Sequence, residues 1–184
     1  MATTQAATAS REDIDRIIHA DHWDPFQVLG QHETAVDRKP ARVVRAFLPH
    51  AAKAWVVDLS GGEPGTQATM ERVHDDGFFE AVFPGRAKHF PYRLAVENHE
   101  GHAWEFVDPY QFGPVLTDFD LHLLGEGTHL RNFEKLGAHL IDHEGIRGVH
   151  FSVWAPNARR VSVIGNFNHW DGRIHPMRSR GSGG

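Results

Sequence analysis

The run Gly165-Asn166-Phe167-Asn168-His169-Trp170-Asp171-Gly172 gathers two side-chain amides and two aromatic rings in one short loop. A flat aromatic suits the apolar face of a glucose ring, and asparagine amides can satisfy the hydroxyls at its rim. Asn166, Asn168 and Trp170 are therefore the candidate carbohydrate-binding residues. The same composition serves a β-turn, where Asn, Asp and Gly supply the backbone conformations and aromatics cap a core. Phe167 is assigned mainly to the core, Trp170 stands equally as sugar platform or core cap, and Trp154 leans to packing.

Other chemistries find less support. Fifteen histidines include the close pairs His19 with His22, His99 with His102 and His139 with His143. None has an HExxH core or a third ligand at suitable spacing, and cysteine is absent, so a metal site is set aside. Asp75 with Asp76 sits at a turn, and Asp118 with Asp120 suits the start of a short helix. Two carboxyls need a cleft to hold them about 5 Å apart for retaining glycosidase chemistry, and these pairs offer none. No nucleophile elbow and no phosphate-cradling glycine loop is present. The reading is of a chain without catalytic residues, metal or cofactor.

The elements that must carry the loop follow from periodicity. Ser10 followed by Asp13, ahead of Ile14, Ile17 and Ile18, predicts a short amphipathic helix ending near Ala20 to Asp24, since Asp24-Pro25 favours extended chain. From Ala41 the period becomes two, predicting strands at 41–48, 54–59, 69–73, 78–83, 92–97 and 103–107, with turns at Ser60 to Gly65, Asp76-Gly77 and Pro84-Gly85. Short strands at such intervals imply an immunoglobulin-like β-sandwich, so the expected class is mostly β. Residues 115–147 space Leu116, Phe119, Leu121, Leu124, Leu130, Phe133 and Leu136 as a helix would, predicting a helical connector. The strand pattern returns at Gly148 with Val149, Phe151 and Val153, then Val161, Val163 and Gly165.

Ala41 to Gly77 lies over Gly148 to Gly184 without a gap, pairing Val44 with Phe151, Phe47 with Trp154, Pro49 with Pro156 and Gly77 with Gly184. The register favours duplication of one β-unit. Expected divisions are a disordered tail at 1–10, a β-sandwich at 11–113, the connector at 114–147 and an incomplete second sandwich at 148–184. With too few strands to cover a hydrophobic face, that last part should expose apolar edges.

The 184 residues carry net charge −5, 40% apolar and 23% charged side chains, the composition of a globular protein. No run approaches the ~20 apolar residues of a membrane helix, and Met1 to Ser10 has no signal-peptide character. Arg159, Arg160, Arg173, Arg178 and Arg180 face the single acid Asp171 after Gly148, too sparse a cluster for a nucleic-acid surface. A chain without cysteine fits a reducing cytoplasm, the default localisation.

Val149 to Pro156, Asn157-Ala158-Arg159-Arg160-Val161 and the Gly-Asn-Phe-Asn-His-Trp loop resemble the family forty-eight carbohydrate-binding module that precedes the catalytic barrel of glycogen branching enzymes. Upstream, Asp24 to Gly30, Val44 to Pro49, Gly77 to Glu80, Asp108 to Gly113 and the stretch Leu121 to Gly137 resemble the longer bacterial branching enzymes, which carry an extra amino-terminal β-domain. The resemblance implies an enzyme that cuts an α-1,4-glucan and transfers the segment to a 6-hydroxyl by a retaining double displacement. Its catalytic acids lie in a (β/α)8 barrel of typically 250 residues, so none carries over to this chain. What is implied for these residues is contact with α-glucan, support of the barrel as partner, and influence on transferred chain length. Gly165-Asn166 departs from the family's more usual Gly-Asp. The other reading is a stand-alone glucan-binding or adaptor module without activity.

Overall fold

In the computed structural model, which describes residues 7–181, helix α1 spans Arg11–Ile18. Ser10 Oγ accepts from the Asp13 backbone N–H at 3.1 Å, satisfying an orphan donor of the first turn. Ile14, Ile17 and Ile18 recur at helical spacing and are buried on one face. A 3-10 turn at Pro25–Gln27 follows, closed by Asp24 Oδ1 accepting from the Phe26 N–H. The chain folds as two units, Met1–Gln111 and Phe112–Gly184.

Among its described residues the first unit holds eight strands: β1 (Gly30–Val36), β2 (Lys39–Phe47), β3 (Ala51–Asp58), β4 (Thr66–Thr69), β5 (Glu71–His74), β6 (Phe78–Pro84), β7 (Tyr92–Asn98) and β8 (Ala103–Phe106). They form two antiparallel sheets, ordered β1-β2-β6-β5 and β4-β3-β7-β8. Val44, Ala46, Phe79 and Ala81 of the first sheet pack with Ala54, Val56, Tyr92, Leu94 and Val96 of the second, the alternate residues that the period of two assigns inward. The first sheet is also covered on its other face, where Phe47 and Phe78 pack with Ile14, Ile17, Ile18, Val28 and Leu29.

Several expectations shift. One strand was expected over 69–73. The chain instead crosses between sheets at buried Met70, leaving β4 in one and β5 in the other. Strand β1 has no counterpart in the expected set, because it is a polar edge strand joined to β2 through Asp37-Arg38, both at positive φ, without the glycine that announces such a turn. Residues 1–6 of the expected tail lie outside the described residues, whereas Thr8 is held firmly. Its N–H and hydroxyl donate to Glu80, while Arg45 Nε donates to Thr8 Oγ1 at 2.9 Å and its terminal nitrogen to the Thr8 carbonyl. Arg45 and Glu80 are cross-strand neighbours, both buried, so the main chain at Thr8 satisfies charges that water cannot reach.

The motif segments singled out upstream meet in space. Phe26 and Tyr110 pack edge to face at 4.9 Å, and a Cβ on Gly30 (φ +88°) would lie 2.6 Å from the Tyr110 carbonyl oxygen. Asp108, 2% exposed, accepts from Tyr92 Oη at 2.5 Å and from the Tyr110 N–H at 3.0 Å. Burial outweighs these bonds and pushes its carboxyl up to about 6, and burial beside Asp108 likewise raises both tyrosine hydroxyls.

In the second unit, α2 (Asp118–Glu126) begins at a capping box between Thr117 and Asp120 and ends on left-handed Gly127. Burial works to raise the Asp120 pKa. The Thr117 hydroxyl and N–H, His129 and Lys135 overcome it and hold the carboxyl well below the ordinary range. The expected helical connector over 114–147 is corrected here. After a 3-10 turn at Asn132–Glu134 the chain enters an antiparallel hairpin of β9 (Gly137–His143) and β10 (Ile146–Ser152), turning at Glu144-Gly145 with both residues at positive φ. Alternation of His139, Ile141 and His143 marks one face, but histidine is too ambivalent to reveal a period of two. The expected boundary at Gly148 thus falls inside β10. Gly184 in its register with Gly77 lies outside the described residues. The strand expected at Val161 to Gly165 is reduced to one bridge, Ser162 with Pro176, flanked by the Val163 N–H donating to the His175 carbonyl and the Met177 N–H to the Val161 carbonyl.

Candidate carbohydrate-binding site

The loop 165–172 is built around a buried amide. A 3-10 turn spans Asn166–Asn168, and the N–H groups of Asn168 and Trp170 both donate to the Gly165 carbonyl, at 3.2 and 3.0 Å. Asn168 is 1% exposed. Its Oδ1 accepts from the Gly165 N–H at 2.9 Å, and its Nδ2 donates to the Val163 carbonyl at 2.8 Å and to His175 Nδ1 at 2.9 Å. Those bonds use both amide hydrogens and one acceptor site of the oxygen, so the buried side chain locks the loop. His175 must be neutral at Nδ1 to accept, and burial lowers its pKa in the required direction.

His169 and Trp170 follow at φ 56° and 59°, two consecutive left-handed residues without a glycine. Such backbone costs about 1 kcal/mol or more per residue and persists only where surrounding bonds impose it. Asn168 supplies them, and the result turns Trp170 outward, 64% exposed. Trp170 Nε1 donates to Asn166 Oδ1 at 2.9 Å, so the indole is pinned at its edge with its faces available. The Asn166 amide nitrogen stays at the exposed rim as a donor. Asp171 is engaged by Arg173 through both carboxylate oxygens, at 2.7 to 3.1 Å.

Of the candidate residues, Asn166 and Trp170 come together as a platform with an adjacent donor, whereas Asn168 lies beneath them as scaffold. Phe167 is corrected from core to surface, being 65% exposed with its ring 5.6 Å from that of His175. Trp154, expected to pack, is also exposed. The contribution of His175 carried no sequence signal, since nothing in the spacing ties it to Asn168. Among the described residues no group of three His, Asp or Glu side chains is disposed to hold a metal ion, and no helix is long and apolar enough to cross a membrane.

The loop lies within residues 135–184, which match the family model for carbohydrate-binding module 48, the isoamylase N-terminal domain. Residues 10–110 match the model for the N-terminal domain of alpha-1,4-glucan branching enzyme GlgB. The chain belongs to this GlgB family. It is 49% identical over 167 residues to 1,4-alpha-glucan branching enzyme GlgB of Rhodopseudomonas palustris, covering 91% of this chain and 22% of that protein. With GlgB of Thermosynechococcus vestitus it shares 48% identity over 177 residues, 96% of this chain and 22% of the relative. The chain therefore spans about a fifth of the length of these relatives. Among solved structures, an apo pullulanase from Paenibacillus barengoltzii is 20% identical, aligned over 73% of this chain and 19% of that one with a TM-score of 0.38. The two matches follow the order of an N-terminal GlgB domain and a module 48 domain, both non-catalytic parts of such enzymes.

Proposed function

We propose that this chain is the non-catalytic amino-terminal part of a cytoplasmic glycogen branching enzyme, which transfers an α-1,4-glucan segment to a 6-hydroxyl and so forms α-1,6 branches. The observation that carries the reading is the succession of the GlgB N-terminal match over 10–110 and the module 48 match over 135–184. In this role residues 11–113 and the module beginning near the β9–β10 hairpin hold glucan near a catalytic barrel supplied by the same parent chain. They bias the length of segment transferred.

At the loop, Trp170 offers a pinned aromatic face to the apolar side of a glucose ring. Asn166 donates its amide hydrogens to ring hydroxyls, and Asn168 acts from below by fixing the turn. The test is affinity electrophoresis through glycogen-containing gels. The unaltered chain is expected to be retarded, and Trp170→Ala to lose most of that retardation while its circular dichroism is unchanged. Retardation that survives Trp170→Ala intact refutes the assignment of the platform. Incubated with amylose, the purified chain is expected to leave the iodine absorbance unchanged, and a fall attributable to it would overturn the non-catalytic role.

A further inference from the structure

The two faces of the sandwich in the first unit are finished differently. The sheet β1-β2-β6-β5 is covered outside by α1, but among the described residues no helix of that unit packs outside β4-β3-β7-β8. Register and burial assign Trp55, Val57, Ala95 and Glu105 to that outer face, since Ala54, Val56, Leu94 and Val96 are the inward set. The row through Val57 is closed by the Ser60–Gly65 turn. A Cβ on Gly65 would lie 2.7 Å from Val57 Cγ1, Glu63 pairs with Arg93 at 3.0 Å, and Val57 is 4% exposed.

The next row is exposed at its ends, Thr69 and Glu105, with Trp55 partly exposed and Ala95 buried between them. It runs Thr69, Trp55, Ala95 and Glu105 across all four strands, each the register partner of the next on the adjoining strand, over roughly 14 Å at the usual strand spacing. Trp55 keeps part of its surface exposed, while its neighbour Ala95 is covered, 7% exposed. The result is one flat ring with a hydroxyl at one end of its row and a carboxylate at the other. Both cations flanking the row are already neutralised, Lys53 by Glu97 at 2.7 Å and Arg93 by Glu63. Without free positive charge the face does not suit a nucleic acid or an acidic peptide. A single aromatic in a row that ends in polar groups is also a poor match for an apolar protein surface. An uncharged polyhydroxylated chain, with apolar ring faces and hydroxyl edges, complements it.

We propose that this row is a second α-glucan-binding surface, with Trp55 as the stacking platform and Thr69 and Glu105 bonding hydroxyls on either side. The proposal rests on the glucan reading given above and places an additional point of contact in the unit that the carbohydrate-module match does not reach. Two such contacts on one chain would hold a long glucan more tightly than either does alone.

The experiment uses the whole chain labelled with 5-fluorotryptophan, the Trp55 and Trp170 fluorine resonances being assigned with Trp55→Phe and Trp170→Phe, and maltoheptaose as titrant. The expected result is a saturable shift of the Trp55 resonance that persists in Trp170→Ala. Trp55→Ala should weaken retention in glycogen gels roughly three- to tenfold. A Trp170 response with a silent Trp55 overturns this proposal and leaves the glucan reading standing. Silence at both overturns both. Because the fluorine titration needs no alanine variant at Trp55, it decides the matter even where Trp55→Ala fails to fold.

Discussion

Replacing Asn168 by alanine separates a residue that builds the loop from one that touches sugar. Asn168 makes three hydrogen bonds from a position 1% exposed, so the variant strands the Gly165 N–H, the Val163 carbonyl and His175 Nδ1. A buried partner left unpaired costs about 1–3 kcal/mol. With water entering the vacated amide volume to serve part of that demand, ~2–4 kcal/mol is expected, against the 5–15 kcal/mol that typically holds a domain folded. Trp170→Ala removes one exposed hydrogen bond and should change stability by about 0.5 kcal/mol or less. Urea unfolding followed by circular dichroism, paired with glycogen-gel retention, reads both. Asn168→Ala should lower the unfolding midpoint and lose most of the retention, while Trp170→Ala loses most of the retention alone. If Asn168→Ala kept its midpoint and lost retention, the amide would belong on the sugar, and the reasoning from burial would fail. A pH series adds a second arm. The folded state holds the His175 pKa below its ordinary 6.5, so the unfolded chain binds the proton more readily, and this contribution to stability is lost as pH falls below about 6.5. Asn168→Asp should reverse the sign locally, because protonated His175 can then donate to a carboxylate.

Two further perturbations concern the first unit. Asp108, pushed up from 3.8 to about 6, holds its proton in the folded chain between about pH 4 and 6, where the unfolded chain has lost it. Its contribution is therefore full below about pH 4 and is lost as pH rises to about 6, by an amount on the order of 3 kcal/mol. The difference in urea midpoint between the unaltered chain and Asp108→Asn, measured from pH 4 to 7, should track that window, and a flat difference refutes it. Thr8→Ala removes the hydroxyl that bridges Arg45 and Glu80 and should cost about 1–2 kcal/mol. Deleting residues 1–8 also strips the main-chain partners and should cost more, so equal midpoints for the two variants would show that the backbone contacts contribute nothing.

The sandwich was legible because its inward residues are unmistakably apolar at a period of two, and because Asp76-Gly77 and Pro84-Gly85 punctuate the strands. What was hidden obeyed the same physics with quieter residues. Strand β1 buries little, so Gln31, Glu33 and Thr34 gave no alternation. The β9–β10 hairpin was masked by histidines on one face, while Leu130, Phe133 and Leu136 mimicked a helix just ahead of it. At the candidate site the loop and Trp170 could be found from composition. The exchange of roles between Asn166 and Asn168 could not, because which amide is buried depends on Val163 and His175, two segments brought together only by the fold. The exposure of Phe167 was missed for a related reason. An aromatic beside a turn packs only if a layer lies over it, and sequence does not disclose which layers are present.

The crossing at Met70 has a mechanical consequence. Because a single residue separates β4 from β5, the outermost ribbons of opposite layers are tethered at one corner, and Met70 is itself clamped by its N–H to Ala54. Neither ribbon can peel away without dragging on the other at that corner. A load applied at the β4 edge of one layer is therefore passed directly to the β5 edge of the helix-backed layer.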